Sequence, residues 1–151
     1  MHITIYTDGS SLGNPGPGGY GVVMLAGPHR KELSQGYQRT TNNRMELLAV
    51  IVALEALKFP KSQVTIHTDS QYVVNSVEKR WVFDWEKKRF AGKKNSDLWI
   101  RFLKIYHSHH VRFVWVKGHA GNKENERCDY LAVTAAQSKD LLEDTGYIEE
   151  Q

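Results

Sequence analysis

Residues 45–54 read Met-Glu-Leu-Leu-Ala-Val-Ile-Val-Ala-Leu, and Leu47–Leu54 is the longest uninterrupted apolar run in the chain. It is far shorter than the ~20 residues a membrane span needs, so it predicts a core helix. Thr41 or Asn42 can cap a helix over 43–57, and Pro60 stops it. A helix with so little polar face has to be covered nearly all round. The flanking segments can cover it. Ile3, Ile5 and Thr7 alternate with Thr4, Tyr6 and Asp8, which predicts a strand ending near Asp8. Val64, Ile66 and Thr68 alternate with Thr65, His67 and Asp69, a second strand that ends on an aspartate. Strand, helix, strand in that order implies a crossover with the two strands parallel.

The remaining elements fit around this unit. A turn-rich segment runs from Gly9 to Gly19, and Tyr20–Ala26 with Glu32–Gln38 reads as a hairpin about Gly27-Pro28. Short helices are expected over 70–76 and 80–89, a longer one over 97–107 with Leu98, Ile100, Leu103 and Tyr106 apolar, and a strand over 111–116. Asn122 can cap a last helix reaching about Ser138 and burying Cys128, Leu131, Ala132 and Ala135. The expected class is α/β, a mixed five-stranded sheet with helices on both faces. At 151 residues, 40% of them apolar, one domain over 1–151 is expected. A single cysteine, Cys128, excludes an internal disulfide and a thiolate zinc site. The first residues show no secretory pattern, so a cytoplasmic protein with no membrane association is expected.

The net charge of +3 is unevenly spread. Residues 79–94 carry seven Lys or Arg against two acids, together with Trp81, Phe83, Trp85 and Phe90, while the rest of the chain is slightly acidic. Bases mixed with aromatics suit a polyanion that also offers flat surfaces for packing. Residues 140–151 hold five acids and no base, and read as a solvated acidic tail.

Asp8 and Asp69 sit in nearly the same local string, Thr7-Asp8-Gly9-Ser10 and Thr68-Asp69-Ser70. If their strands pair in parallel, both carboxylates emerge at one edge of the sheet, where open α/β sheets bind ligands. Each could equally start a turn or cap a helix. Glu46, in the first turn of the apolar helix, has to be exposed, metal-bound or paired, with Arg44 as the near partner. Among the acids of 122–129, Asp129 adjoins the apolar stripe. Four carboxylates in one place repel and raise one another's pKa. A divalent cation removes that cost, and oxygen-only ligands favour Mg²⁺, or Mn²⁺ in its place, over Zn²⁺.

Thr7–Ser10, Gly13–Gly21, Thr40–Leu47, Thr68–Tyr72, and Trp115–Gly121 through Glu124–Asp129 together closely resemble the type 1 ribonuclease H family, the bacterial ribonucleases HI. The resemblance covers nearly the whole chain, Glu143–Tyr147 included. It implies a ribonuclease H-like fold and an endonuclease that hydrolyses the RNA strand of RNA–DNA hybrids with two metal ions, leaving 5′-phosphate and 3′-hydroxyl ends. By the same resemblance Asp8, Glu46, Asp69 and Asp129 are metal ligands, and His119 assists proton movement or product release. Asn14, Asn43 and Gln71 then contact nucleic acid around the site. Arg39, Thr41 and Asn95 match positions associated with a phosphate of the DNA strand. Trp81 and Trp85, with Lys87, Lys88 and Arg89, match a basic protrusion that receives that strand. A monomer is expected. The segment 90–96 departs from the family in being short, so the protrusion is expected to be trimmed.

Three other readings are weaker. Gly16–Gly21 fits G-x-G-x-x-G but opens no helix and has no acid about twenty residues on, which argues against dinucleotide binding. His107, His109 and His110 have no clear third ligand and read as surface residues. A catalytically dead hybrid-binding module would lack an acid that is present here. A DNA strand transferase on the same architecture would be expected to carry an additional domain.

Overall fold

The computed structural model describes residues 2–118 and 121–147. The elements run β1 (His2–Ser11), β2 (Gly16–Ala26), β3 (His29–Thr40), α1 (Asn42–Glu55), β4 (Gln63–Thr68), α2 (Gln71–Glu78), α3 (Trp81–Lys87), α4 (Ser96–Tyr106), β5 (His110–Trp115), α5 (Lys123–Ala136) and β6 (Leu141–Leu142). The strands form one mixed sheet in the order β5-β4-β1-β2-β3-β6. β1 pairs in parallel with β4, as the crossover requires, and β1, β2 and β3 pair antiparallel.

The expected fold is present, with three corrections. The sheet has six strands among the described residues, because Leu141–Leu142 adds to β3 at Gly36–Tyr37. The segment read as a solvated acidic tail is therefore anchored at its start, and the Asp144 carboxylate is buried against Arg44. β1 also does not end at Asp8. It continues to Ser11, with Asp8 opposite Gly21 and Ser11 opposite Gly18. Of the glycines that suggested a long turn, Gly16, Gly18 and Gly19 belong to β2 and Gly9 to β1. A Cβ on Gly19 or Gly21 would strike the α5 backbone, and one on Gly18 would strike Thr40 and Met45. Glycine is required there so that helices can pack directly on the sheet.

α1 lies on one face of the sheet and is covered as expected, with Arg44 to Ile51, Ala53 and Leu54 buried. Thr41 caps it by accepting the Arg44 N–H at 3.3 Å. α4 packs on α1 through Leu98, Trp99, Phe102 and Leu103, leaving Ile100 exposed where the apolar stripe had included it. α5 covers the other face through Cys128, Ala132 and Ala136. The Cys128 thiol donates to the Tyr6 carbonyl, and burial pushes its pKa up, so it is an inert core group.

Candidate active site

Three elements bring acids to one place. Asp8 comes from β1, two residues past the last β1–β4 pair; Asp69 follows β4 directly; Glu46 comes from the first turns of α1. One carboxylate oxygen from each lies within 4.8 Å of the others. The approach depends on Gly9, because a Cβ there would collide with the α1 backbone at Met45 and Glu46. Without it, the Gly9 N–H donates to Glu46 Oε1 at 2.6 Å and fixes that carboxylate. Glu46 does not pair with Arg44: two residues apart on a helix, their side chains leave in different directions.

The site is strongly acidic and nearly closed. Asp8 is 6% exposed and Glu46 5%. Burial, then the charge of Asp69 and less strongly that of Asp129, pushes Asp8 up to about 8. Burial, then Asp8 and Asp69, holds Glu46 well above the ordinary carboxylate range. In both, the largest charge effects come from the other carboxylates. Asp69 Oδ1 is buried with no hydrogen-bond partner. A buried oxygen without a partner among three converging carboxylates fits a hard divalent cation, which supplies charge and ligation. Asp129, on α5, is half-buried and acts on Asp8 electrostatically, but stands outside the three-carboxylate cluster.

His119 lies outside the described residues. The chain enters its loop beside the cluster, since a Cβ on Gly118 would fall 2.8 Å from Asp69 Oδ2. Trp115 Nε1 donates to the Asp69 carbonyl at 3.3 Å, and the Val116 N–H to the Thr68 carbonyl at 2.9 Å. The end of β5 thereby holds the backbone that carries Asp69.

The other predicted residues form a rim. Asn43 and Gln71 are exposed in the first turns of α1 and α2. Asn14 Oδ1 accepts the Asn42 N–H at 2.9 Å, which ties the β1–β2 turn to the start of α1. Arg39 is exposed near the end of β3, Thr41 is the α1 cap, and Asn95 is the residue before α4, with φ 62°. Lys87, Lys88 and Arg89 are exposed. The two tryptophans differ. Trp81 is 43% exposed with the Lys79 ammonium 5.4 Å from its ring centre, whereas Trp85 is half-buried, edge-on to the core residue Trp99 at 5.9 Å.

Sequence reasoning missed a second charged cluster. The Arg44 guanidinium is buried between Asp97 and Asp144, at 2.7 Å from each. Burial works against its charge, but the bonds to both carboxylates outweigh it and hold the group protonated. Arg44 in an otherwise apolar run was the available signal, since a buried guanidinium needs acids.

Three acids converging at one edge of the sheet with a buried oxygen unpaired, in a chain that also carries a basic aromatic segment, fit a metal-dependent hydrolase of a phosphate-bearing polymer. The ribonuclease H family model matches residues 1–137. The ribonuclease H of Syntrophus aciditrophicus (strain SB) is 59% identical over 150 residues, covering 96% of this chain and 86% of that one. LC9-RNase H1, a type 1 RNase H with the type 2 active-site motif, superposes with a TM-score of 0.80 at 37% identity, over 89% of this chain and 72% of that one. LC11-RNase H1, solved in complex with RNA/DNA hybrid, gives a TM-score of 0.66 at 30% identity over 89% of this chain and 96% of that one. The chain belongs to the ribonuclease H family of endoribonucleases.

Proposed function

We propose that this chain, as one domain spanning 1–151, cuts the RNA strand of RNA–DNA hybrids by a two-metal-ion mechanism that leaves 5′-phosphate and 3′-hydroxyl ends. The observation that carries the reading is the convergence of Asp8, Glu46 and Asp69, with one carboxylate oxygen from each within 4.8 Å of the others and Asp69 Oδ1 buried without a partner. These three, with Asp129 from the rim, would hold Mg²⁺, with Mn²⁺ as a substitute, because the donor set is oxygen alone. When bound, the ions supply charge that lets the acids ionise together, activate water for in-line attack and stabilise the departing 3′ oxygen.

The chain's own groups do the rest. The Gly9 N–H aims Glu46. With its oxygen engaged by the Asn42 N–H, Asn14 keeps its amide donors for substrate. Together with Asn43 and Gln71, it reads the 2′-hydroxyls and minor-groove edges that mark an RNA strand. Arg39, Thr41 and Asn95 take a phosphate of the DNA strand, and Trp81, Trp85, Lys87, Lys88 and Arg89 receive that strand further on. His119 moves a proton or speeds product release. No helix among the described residues is long and apolar enough to cross a membrane; the enzyme acts as a cytoplasmic monomer.

The test presents one labelled RNA strand as hybrid, RNA duplex and single strand, beside a DNA duplex, with Mg²⁺ and with a chelator. Cutting confined to the hybrid and abolished by chelator is expected. Cutting that survives chelation, or a cut DNA duplex, overturns the reading.

A further inference from the structure

Arg44 contacts two of the three side chains assigned above to the DNA-strand phosphate. Its backbone N–H donates to Thr41 Oγ1 at 3.3 Å, and its Nη1 donates to Asn95 Oδ1 at 3.4 Å. Both bonds occupy acceptors. A hydroxyl or a carboxamide can either donate or accept, and a phosphate takes only donors. With its oxygen held by the guanidinium, what Asn95 has to offer a phosphate is its N–H groups. One points to the Tyr72 hydroxyl at 3.1 Å, which is itself fixed by the Trp99 indole N–H at 2.8 Å. The amide is therefore held at both ends, and one N–H remains for an incoming anion.

The guanidinium is fixed in turn. Nε and Nη2 donate to Asp144 at 2.7 and 3.0 Å, while Nη1 and Nη2 donate to Asp97 at 2.8 and 2.7 Å. With Asn95, all five donors are used. Asp144 also accepts from the buried Thr40 hydroxyl at 2.7 Å. Gly146 passes so close to Asp97 and Arg44 that no Cβ fits there. The segment after β6 is thus closed over the cluster. With two carboxylates on one guanidinium, Arg44 presents no free cation to a phosphate and acts only through the groups it orients.

We propose that Arg44, clamped by Asp144 of the C-terminal segment, is a positioning residue that fixes the Asn95 amide with one N–H left to donate to a backbone phosphate of the DNA strand. This rests on the assignment of Asn95 to that phosphate. The Thr41 bond comes from the Arg44 backbone, so the guanidinium itself meets the phosphate set through Asn95; Asp97→Asn loosens it without touching the Thr40–Asp144 bond.

The experiment is a double-mutant cycle with Asp144→Asn and Asn95→Ala, read as KM and kcat on an RNA–DNA hybrid at a temperature where circular dichroism shows every variant folded. Asp144→Asn is expected to raise KM by roughly three- to tenfold with kcat within twofold. In the Asn95→Ala background, its effect on KM is expected to fall below twofold. A purely stabilising clamp would leave KM unchanged in folded protein. If Asp144→Asn proves too unstable, Asp97→Asn, whose side chain is 43% exposed, takes its place. An unchanged KM in the clamp variant, while Asn95→Ala raises it, overturns this inference alone, as does an effect that persists undiminished without Asn95. An Asn95→Ala enzyme with native KM removes the phosphate assignment and the inference together.

Discussion

Two clusters of acid meet α1 within a turn of each other, at the buried Arg44 and Glu46, and they are built on opposite principles. Around Arg44, two carboxylates meet one guanidinium and every donor is used. Around Glu46, carboxylates meet carboxylates, protons are retained far above the ordinary range, and one buried oxygen has no partner. The first arrangement is complete within the chain. The second is complete only when something positively charged arrives. Burial alone therefore does not mark a functional acid; burial without compensation does.

The sharpest way to break this contrast is to neutralise the uncompensated cluster. Asp8→Asn or Asp69→Asn is expected to lower kcat by at least about 10³-fold, equivalent to roughly 4 kcal/mol of barrier. The same change removes repulsion, so in chelator the melting temperature of Asp8→Asn is expected to rise. Steady-state kinetics and calorimetry on one preparation decide it. A variant that cuts near the native rate removes that residue from the site, and one that melts lower in chelator means Asp8 was already compensated.

The compensated cluster should respond the other way. Arg44→Met leaves Asp144 and Asp97 facing an apolar side chain. Losing one partner of a buried pair costs about 3–5 kcal/mol, and the partial exposure of Asp97 places this variant near the lower end. Chemical denaturation measures it. A cost below about 1 kcal/mol would put the pair in the class of surface ion pairs.

The pH dependence separates the clusters without any mutation. Folded Asp8 keeps its proton to about 8, while in the unfolded chain it ionises near 3.8. Between those values the folded state binds more protons, so stability falls as pH rises. In chelator, the melting temperature is expected to drop by several degrees between pH 5 and 8, roughly what 1–2 kcal/mol produces in a domain of this size. Saturating Mg²⁺ is expected to reverse the drop by binding the ionised acids. A flat profile in chelator would mean that the acids ionise freely.

The sequence marked these regions unequally. Asp8 and Asp69 were legible because each follows an alternating stretch in a repeated Thr-Asp string, and parallel pairing of those stretches brings both to one edge even though β1 runs on past Asp8 to Ser11. Glu46 was only half legible: a carboxylate in an apolar helix could be exposed, paired with Arg44 or metal-bound, and only the family resemblance chose among these. Asp144 was not. It sits in an acidic stretch that looks solvated, and its partner is 100 residues away in sequence, so neither periodicity nor composition could join them. The same holds for β6, whose two residues pair only because α5 returns the chain to the β3 edge. The β2 glycines were misread for a related reason: in sequence a glycine signals a turn as readily as a helix backbone packed on a strand.

The smallest expected effects concern the protrusion, where the two tryptophans repeat the contrast between completed and open. Trp85 leans edge-on against Trp99 and so belongs partly to the core, whereas Trp81 is largely outside it under Lys79. Trp81→Ala is expected to raise KM about two- to fivefold with a smaller loss of stability than Trp85→Ala, since Trp81 is 43% exposed. Trp85→Ala is expected to raise KM and also to cost about 1–2 kcal/mol, less than the ~3–5 kcal/mol of a fully buried aromatic. Kinetics paired with denaturation separates the two. If Trp85→Ala alone changes KM, the substrate reaches past the exposed ring to the one the core holds, and rigidity rather than exposure selects the stacking surface.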